Sequence, residues 1–440
     1  MEKISEVVIP YGGKYETAKI PNNNLIGIFY PLRLDKIKDS EAVIEEIEMG
    51  LEKVGMRDMA RPGSKVAIAI TDRTRVTPNK LFLPILIDQL NNLGISDKNI
   101  TIIIGTGMHT PDGPEEIKNN VGKKILNRIR IINNKPLVKD LYVDCGKTSF
   151  GTPVLIHKCF AEADIKITTG NIIPCLMAGW TGGGKTVLPG IVNKETIYAN
   201  HKYSMKQLEK SGRASMLGVL PPKNIVRADI EEAASIVGLN MAINSVLNYD
   251  ETIARVLAGQ HIEIHREGVN TALKALGAPF PKKADIVIGG VGSRGFEVSL
   301  YQGGSRVLQA LDEVVKEGGT IIFTCECREG IYEGILKELY TDWMRKMPPP
   351  EEIRTLTESG ELPPEDGVVI HIFSWLIHKL KCKIVVITEG LSDRELAEIH
   401  MKRATSLQQA LDAALLCYGS DAGVAVMPYA SMMLPYISFS

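Results

Sequence analysis

The chain has 440 residues, of which 44% are hydrophobic and 23% are charged, and its formal net charge at pH 7 is -1. This length favours two or three domains, each with its own core. The lack of a basic excess argues against nucleic acid or a membrane surface as partner, and no apolar run approaches the roughly 18 residues of a spanning helix. The first residues, "MEKISEVVIPYGGKYE", contain no apolar region typical of a signal peptide. We therefore expect a cytoplasmic protein.

Short runs rich in valine and isoleucine predict buried strands. In chain order they are "KVAIAIT" (65–71), "ITIIIGTG" (100–107), "ADIKITTG" (163–170), "ADIVIGGVG" (284–292), "GTIIFTC" (319–325) and "KIVVITEG" (383–390). Because none of them alternates apolar with polar residues, each is expected to lie in a parallel sheet covered by helices on both faces. Between the first two runs, "PNKLFLPILIDQLNNLGI" predicts one covering helix that ends at its glycine.

A domain boundary is predicted in "LKALGAPFPKKAD", where glycine, proline and lysine gather before a new strand. We therefore predict an α/β protein with a first domain of residues 1–275 and a second domain of residues 276–440. Each domain is expected to contain a mainly parallel sheet flanked by helices. A cleft between two such domains is the usual place for a ligand, and we expect the active site there.

The stretch "AGWTGGGKTVLPG" matches the triphosphate-loop pattern of a glycine, four residues and Gly-Lys-Thr. That loop needs a strand leading into it and a helix that begins at the lysine, so that backbone N–H groups face the phosphates. Pro174 lies just upstream and cannot join a central ladder, and Pro189 follows Lys185 within one turn and blocks a helix. We therefore disfavour an ATP or GTP site. In the preferred interpretation Gly183 and Gly184 let a bulky group approach the backbone, and Lys185 is an anion contact or a covalent anchor.

Polar side chains follow two of the predicted strands. "TDRTR" brings Asp72 and Arg75 to the carboxyl end of the first strand, where α/β sheets build their sites. A guanidinium there suits a carboxylate or phosphate, although a solvated Asp–Arg pair would give the same pattern. His109 follows the second strand in "GTGMHTPDG", where an imidazole with a pKa of about 6.5 suits a general base or, equally, a packed histidine. "GFEVSLYQGGSR" places Tyr301 and Gln302 at the start of a helix near the cleft.

The seven cysteines are scattered along the chain and indicate reduced thiols rather than a disulfide framework. Cys325 and Cys327 form a single C-x-C without a second pair at zinc-site spacing, so we expect buried thiols there. His261 and His265 share one helix face in "HIEIH", which lacks the H-E-x-x-H order of a zinc protease.

Four motifs together resemble the nickel-dependent lactate racemase family over nearly the whole chain. They are "DRTRVTP", "GTGMHTPDGPEE", "AGWTGGGKTVLPGI…ANH" and "LYQ", in the order and spacing of that family. The resemblance implies a nickel-pincer nucleotide, pyridinium-3-thioamide-5-thiocarboxylate mononucleotide, attached covalently to the lysine of the glycine-rich turn. By position Lys185 matches this anchor, His201 matches the histidine that binds nickel, and Asp72, Gly183 and Gly184 match the surroundings of the cofactor.

The resemblance also implies a reaction. In the family, a base removes the hydroxyl proton of a 2-hydroxy acid while the Cα hydride moves to the pyridinium ring, and the hydride then returns to either face. His109 matches one of the two bases. Arg75 matches the residue that holds the substrate carboxylate, and Tyr301 and Gln302 match positions beside the substrate.

Two positions depart from the family pattern. The second catalytic histidine is replaced by Cys175 in "IIPCLMAG", where a thiol of lowered pKa can serve as a base or can be a buried inert group. The substrate-binding lysine is replaced by Ser305, and Arg306 follows it. We expect these changes to alter the substrate rather than the cofactor, so that a larger 2-hydroxy acid or a sugar acid would suit the pocket.

The sequence therefore predicts an isomerase, a racemase or epimerase of a 2-hydroxy acid, with His109 and Cys175 as bases and nickel in its cofactor. Cofactor-assembly enzymes are expected partners, and neither nucleic acid nor membrane is expected. Two alternatives stay open. One is a redox or one-base enzyme on the same cofactor, and the other is a non-catalytic homologue that binds an organic acid.

Overall fold

The computed structural model describes residues 3–292 and 295–437, with the backbone alone at Glu209 and Ile437. The strands are β1 (Ile4–Tyr11), β2 (Lys14–Pro21), β3 (Leu25–Ile28), β4 (Val66–Thr71), β5 (Ile100–Gly105), β6 (Arg130–Asn133), β7 (Tyr142–Lys147), β8 (Pro153–His157), β9 (Ile165–Asn171), β10 (Pro174–Cys175), β11 (Gly179–Trp180), β12 (Met241–Leu247), β13 (Ile253–Gly259), β14 (Gly277–Phe280), β15 (Ala284–Gly290), β16 (Val315–Thr324), β17 (Lys383–Ile387), β18 (Lys402–Ala404), β19 (Val424–Met427) and β20 (Leu434–Ile437). The helices are α1 (Glu41–Lys53), α2 (Met56–Met59), α3 (Asn79–Asn92), α4 (Pro114–Val121), α5 (Lys123–Leu126), α6 (Lys158–Ala161), α7 (Lys194–Ser211), α8 (Ile225–Ile236), α9 (His261–Leu276), α10 (Ser305–Leu311), α11 (Lys337–Lys346), α12 (Pro350–Ser359), α13 (Pro364–Ser374), α14 (Asp393–Glu398) and α15 (Leu407–Tyr418).

The first large sheet has the strand order β13-β12-β9-β4-β5-β6. Its strands run parallel except for the edge strand β13, which is antiparallel to β12. The central strand β4 is buried from Val66 to Ile70, because α1 and α3 pack on one face of the sheet and α6, α7 and α8 pack on the other. Burial on both faces is the reason why the sequence of this strand is continuously apolar.

The second large sheet has the strand order β18-β17-β16-β15-β19-β3 and is parallel throughout. The β1–β2 hairpin and α15 cover one face, and α10 and α13 cover the other. All six strands predicted from the sequence are present in the two sheets, and the predicted covering helix is α3. The predicted α/β class is thereby confirmed.

The chain crosses between the two sheets near its start. Strand β3 pairs in parallel with β19, so residues 25–28 belong to the sheet of the second domain. Residues 4–28 therefore pack with the second sheet and not with the first, in which the predicted first domain would place them. For the rest of the chain the predicted domain boundary between residues 275 and 276 stays a prediction. The tetrapeptide "LIGI" is too short to signal this pairing, and its partner strand lies about 400 residues later.

The carboxyl ends of both sheets face one cavity. In the first sheet β5 and β9 lie on opposite sides of β4, and such a point of divergence opens a crevice at the carboxyl ends of the strands. The cavity and its opening to solvent together enclose about 1060 Å³, and they are lined by the segments that follow β4, β5 and β9, and by α10 and α13 of the second domain. None of the helices in the described residues is long and apolar enough to cross a membrane.

Candidate active site

Most of the residues that the sequence singled out meet in this cavity. Those that line it are Asp72, Arg75, His109, Cys175, Lys185, His201, Tyr301, Gln302 and Ser305. Gly183 and Gly184 do not line it. Asp72 and His109 meet there because adjacent parallel strands end at the same edge of the first sheet, and the residues of the second domain reach the cavity because the two domains meet at it.

His109 and Asp72 form a tightly connected pair. His109 Nδ1 lies 2.6 Å from Asp72 Oδ2, and the Thr74 hydroxyl donates to Asp72 Oδ1 at 2.7 Å. Burial acts to raise the pKa of Asp72, but His109 and Arg75 outweigh it and lower the pKa to about 2. The carboxylate is therefore ionised at neutral pH and fixes the orientation of the imidazole.

Gln302 brings the second domain to the same histidine. Its Nε2 lies 3.0 Å from His109 Nε2 and donates to Glu333 Oε1 at 2.9 Å, and its Oε1 accepts from Arg75 Nη1 at 3.3 Å. Since an amide nitrogen can only donate, His109 Nε2 is the acceptor and the ring proton lies on Nδ1, facing Asp72. In this tautomer the basic lone pair is on Nε2, and Gln302 donates a hydrogen bond to it in this structure.

Cys175 and Lys185 perturb each other inside the cavity. Burial acts to raise the pKa of Cys175, but Lys185 and Arg306 outweigh it and lower the pKa to about 7. Burial lowers the pKa of Lys185 to about 8; the Cys175 thiol opposes this shift and nearby guanidinium groups add to it. Near neutral pH a good part of the thiol is thiolate, and the amine can lose its proton at modest cost.

The turn that carries Lys185 is fixed from behind. Residues Gly183–Thr186 form a 3₁₀ turn, and the next helix, α7, begins only at Lys194. The buried Arg227 donates to the carbonyl oxygens of Gly182 at 3.0 Å and of two preceding residues at 3.1 Å each. No helix starts at the lysine, so the helix N-terminus that a triphosphate loop requires is missing at this turn.

The physical reason for glycine at Gly183 and Gly184 differs from the one expected from the sequence. A Cβ at Gly184 would lie 2.7 Å from Ala234 Cβ on α8, and a Cβ at Gly183 would lie 3.2 Å from His265 Cβ on α9. Gly183 also has a φ of +59°, which side chains rarely adopt. The two glycines therefore let the turn pack against α8 and α9, and the clearance that they provide faces away from the cavity.

His201 lies on α7 and is 3% exposed. Its Nδ1 is buried and has no hydrogen-bond partner in the protein. Burial and the charge of Lys185 lower the pKa of His201 to about 3, so the imidazole is neutral, as a metal ligand must be. Among the residues that the structure describes, no group of three or more His, Cys, Asp or Glu side chains could hold a metal ion. A metal at His201 would need further donors from a cofactor.

The second domain contributes residues that sequence reasoning left unassigned. Glu333 accepts from Gln302, and Arg306, Gln309 and Glu365 line the cavity. For Glu365 a signal existed, because "PEDGVVIHIFS" places two adjacent acids at the start of a helix that is buried throughout. The hydroxyl of Ser305 donates to the carbonyl oxygen of Tyr301 within its own helix, so it is already engaged.

Two other motifs lie outside the cavity. Cys325 and Cys327 are fully buried, as the sequence predicted. His265 Nε2 contacts Arg227 and lies 3.1 Å from the carbonyl oxygen of Thr181, behind the lysine turn. The seven cysteines are all free thiols.

Fold and site define a two-domain α/β enzyme in which imidazole, thiol and cationic side chains meet in one cavity. Residues 11–212 match the family model of the lactate racemase N-terminal domain, and residues 280–433 match that of the lactate racemase C-terminal domain. The chain belongs to the lactate racemase family, and it is an isomerase of the racemase type.

Known proteins are similar to this chain over its whole length. The lactate racemase of Lactiplantibacillus plantarum is 28% identical over 425 residues, which cover 96% of this chain and 97% of that protein. The lactate racemase of Thermoanaerobacterium thermosaccharolyticum is 25% identical over 433 residues, which cover 97% of this chain and 98% of that protein. The structure of the lactate racemase apoprotein from the latter organism matches with a TM-score of 0.83 at 24% identity, covering 98% of this chain and 100% of that one. The structure of a Thermotoga maritima protein matches with a TM-score of 0.73 at 14% identity, covering 92% of this chain and 100% of that one. The two structural matches show a shared fold.

Proposed function

We propose that this chain is a racemase or epimerase of a 2-hydroxy acid that carries a nickel-pincer nucleotide covalently on Lys185, with His201 as the nickel ligand. The observation that supports it most is that a neutral base, an acidic thiol, a guanidinium and a lysine of lowered pKa line one cavity. A cytoplasmic location fits the seven free thiols. Enzymes that assemble the cofactor are the partners that the proposal requires.

The residues present fit such a cofactor. Lys185 has an amine that is readily deprotonated and hence nucleophilic. Two buried nitrogen atoms in the same cavity, His201 Nδ1 and Asn171 Nδ2, have no partner in the protein, and neutral imidazole is a good nickel ligand. When bound, the cofactor would supply the hydride acceptor that the protein side chains lack.

The side chains of this chain would bind the substrate and move its protons. The guanidinium of Arg75 suits the substrate carboxylate. His109 Nε2 accepts the proton of the 2-hydroxyl group, and Asp72 stabilises the imidazolium through the hydrogen bond to Nδ1. Gln302 bonds to His109 and to Arg75 and fixes the position of the base relative to the guanidinium. Racemisation needs a proton acceptor on each face of the planar 2-keto acid, and Cys175, with a pKa of about 7, is proposed as the second one.

Cofactor attachment can be tested apart from catalysis. Protein produced together with the cofactor-assembly enzymes is examined by intact mass and by nickel analysis, with Lys185→Arg as the matched control. We expect an adduct and about one nickel per chain in the wild type only. Absence of an adduct on wild-type Lys185 would refute the cofactor assignment.

The loaded protein is then given single enantiomers of a panel of 2-hydroxy acids in D2O. We expect inversion at C2 with little deuterium at that carbon, because the hydride returns internally. Full deuterium exchange would instead indicate simple proton abstraction.

A redox or one-base reaction on the same cofactor is the second candidate, since a thiol stands where the family pattern has a histidine. It predicts formation of a 2-keto acid without inversion, limited to one equivalent per loaded chain unless an added oxidant takes up the hydride, and Cys175→Ala would then leave the rate unchanged. A non-catalytic acid-binding protein would carry the adduct and turn over no member of the panel.

A further inference from the structure

One wall of the cavity, formed by α10 and α13, carries three buried polar side chains with unused hydrogen-bonding atoms. We call Arg306, Gln309 and Glu365 the polar wall. Their exposures are 6%, 3% and 4%. The atoms without a partner in the protein are Nε and Nη1 of Arg306, Oε1 of Gln309 and both carboxyl oxygens of Glu365. All three side chains line the same cavity as His109 and Lys185.

The arrangement is not a result of loose packing. Arg306 and Gln309 are three positions apart on α10 and therefore share a helix face. The guanidinium of Arg306 lies over the ring of Phe296, 4.1 Å from its centroid, which fixes its position. Buried polar groups are nearly always hydrogen-bonded in proteins because leaving them unbonded is costly. Three of them on one wall of a cavity therefore indicate a ligand that bonds to them.

A ligand at the polar wall has to offer both hydrogen-bond donors and hydrogen-bond acceptors. Arg306 only donates, so it needs an acceptor, whereas Gln309 Oε1 only accepts and needs a donor. Burial and the neighbouring Asp366 raise the pKa of Glu365 well above its usual range, which favours the protonated carboxyl, a group that both donates and accepts. The hydroxyl group is the simple functional group that satisfies all three, since it donates one hydrogen bond and accepts others.

We infer that the polar wall is the subsite for the side chain of the substrate, and that the substrate is a 2-hydroxy acid with further hydroxyl groups along its chain, a polyhydroxy acid of the sugar-acid class. This inference rests on the proposed function, because the 2-hydroxy acid end of the substrate is assigned to Arg75 and His109. The reaction would then be epimerisation at C2, with the other stereocentres unchanged.

Two smaller substrate classes fit the wall less well. The methyl group of lactate would displace water from the wall and return no hydrogen bond, whereas a hydroxyl reproduces the bonds of the water that it displaces. A second carboxylate, as in malate, would satisfy Arg306 but would face the carbonyl oxygen of Gln309 without a proton to offer. Sites built to bond a substrate hydroxyl reject an analogue without it by factors of about 10⁴.

The test uses the full chain loaded with cofactor and three probes: D-gluconate, L-lactate and L-malate. Epimerisation or racemisation is followed by NMR and chiral chromatography, and binding is followed by titration calorimetry. We expect kcat/KM for gluconate to exceed that for lactate and malate by about 100-fold or more. Gln309→Met and Glu365→Met should lower kcat/KM for gluconate by about tenfold or more, chiefly through KM, and lower it for lactate far less. Glu365→Gln should restore most of the loss, and Gln409→Met, an exposed glutamine on α15, serves as the matched control.

Each other outcome has a distinct meaning. A preference for lactate or malate, or an equal loss for gluconate and lactate in the two methionine variants, would overturn the subsite and leave the racemase proposal standing. If the adduct is present and no acid is turned over, the proposed function fails. In that case titration calorimetry tests the subsite without turnover. Gluconate binding that weakens in Glu365→Met supports the subsite, and absence of gluconate binding overturns it.

Discussion

The hydrogen bond between Asp72 and His109 leads to a quantitative prediction for Asp72→Asn. The pKa of Asp72 falls from 3.8 to about 2 although burial acts in the opposite direction. At about 1.36 kcal/mol for each pKa unit, its surroundings stabilise the ionised carboxylate by about 2 kcal/mol. Asp72 is 2% exposed, so solvent screens this interaction little. The asparagine keeps the shape but removes the charge that stabilises a protonated His109. We therefore expect kcat/KM of the loaded enzyme to fall by roughly 30-fold.

The assay is kcat/KM for the best 2-hydroxy acid between pH 5 and pH 9, with Asp112→Asn as control. Asp112 is also a buried aspartate at 4% exposure, but it bonds to the Arg73 backbone N–H at 3.1 Å and does not line the cavity. We expect the control to stay within about threefold of the wild type, because the base and its partner are intact. An Asp72→Asn enzyme that also stays within threefold would refute the role of the carboxylate.

The same substitution should also change how the free energy of unfolding depends on pH. A carboxyl whose pKa is lower in the folded than in the unfolded state stabilises the fold above its unfolded pKa, and this contribution is lost as the pH falls through the folded value. For Asp72 the window runs from 3.8 down to about 2. The difference in free energy of unfolding between wild type and Asp72→Asn should therefore shrink across that window in denaturant titrations. A difference that stays constant between pH 6 and pH 2 would contradict the assignment.

Three further predictions concern single residues. In the unloaded protein the thiol of Cys175, with a pKa of about 7, should react with iodoacetamide at a rate that is half-maximal near pH 7 and levels off about one pH unit higher, as resolved by peptide mass spectrometry. A rate that is half-maximal near the ordinary thiol pKa of about 8.5 would disprove the lowered pKa. His201→Ala should abolish nickel retention and keep the covalent adduct on Lys185, and retention of nickel at the wild-type level would exclude His201 as ligand. Arg227→Met should lower the free energy of unfolding by about 3 kcal/mol or more, because three buried carbonyl oxygens lose their donor, while Glu231 keeps its ion pair with Arg266. The exposed Arg255→Met is its control, and equal effects would contradict the special role of Arg227.

The sheets were predictable because their strands are buried on both faces. Such strands read as uninterrupted apolar runs, as in β4, β5 and β15. Strand β3 was not predictable, since four half-buried residues carry little pattern and their partner is remote in sequence. The two-residue strands β10 and β11 likewise depend on tertiary packing rather than on any local preference.

The first-domain half of the site was predictable for a related reason. Asp72 and His109 directly follow buried strands, so their proximity follows from strand adjacency alone. The second-domain half depends on how the two domains meet, which no local pattern encodes. The contact between Gln302 and His109 spans 193 positions, and the polar wall becomes recognisable only when its unused hydrogen-bonding atoms are seen to share one cavity.

Gln302 links the conformation of this enzyme to its proton chemistry. Its amide reaches across the cleft to His109 and to Arg75 at once, so any separation of the two domains releases the basic nitrogen and the guanidinium in the same event. Closure and protonation are therefore two coupled equilibria rather than independent ones. By linkage, a ligand that competes with Gln302 for either partner favours separation of the two domains, and separation favours the binding of that ligand by the same free energy.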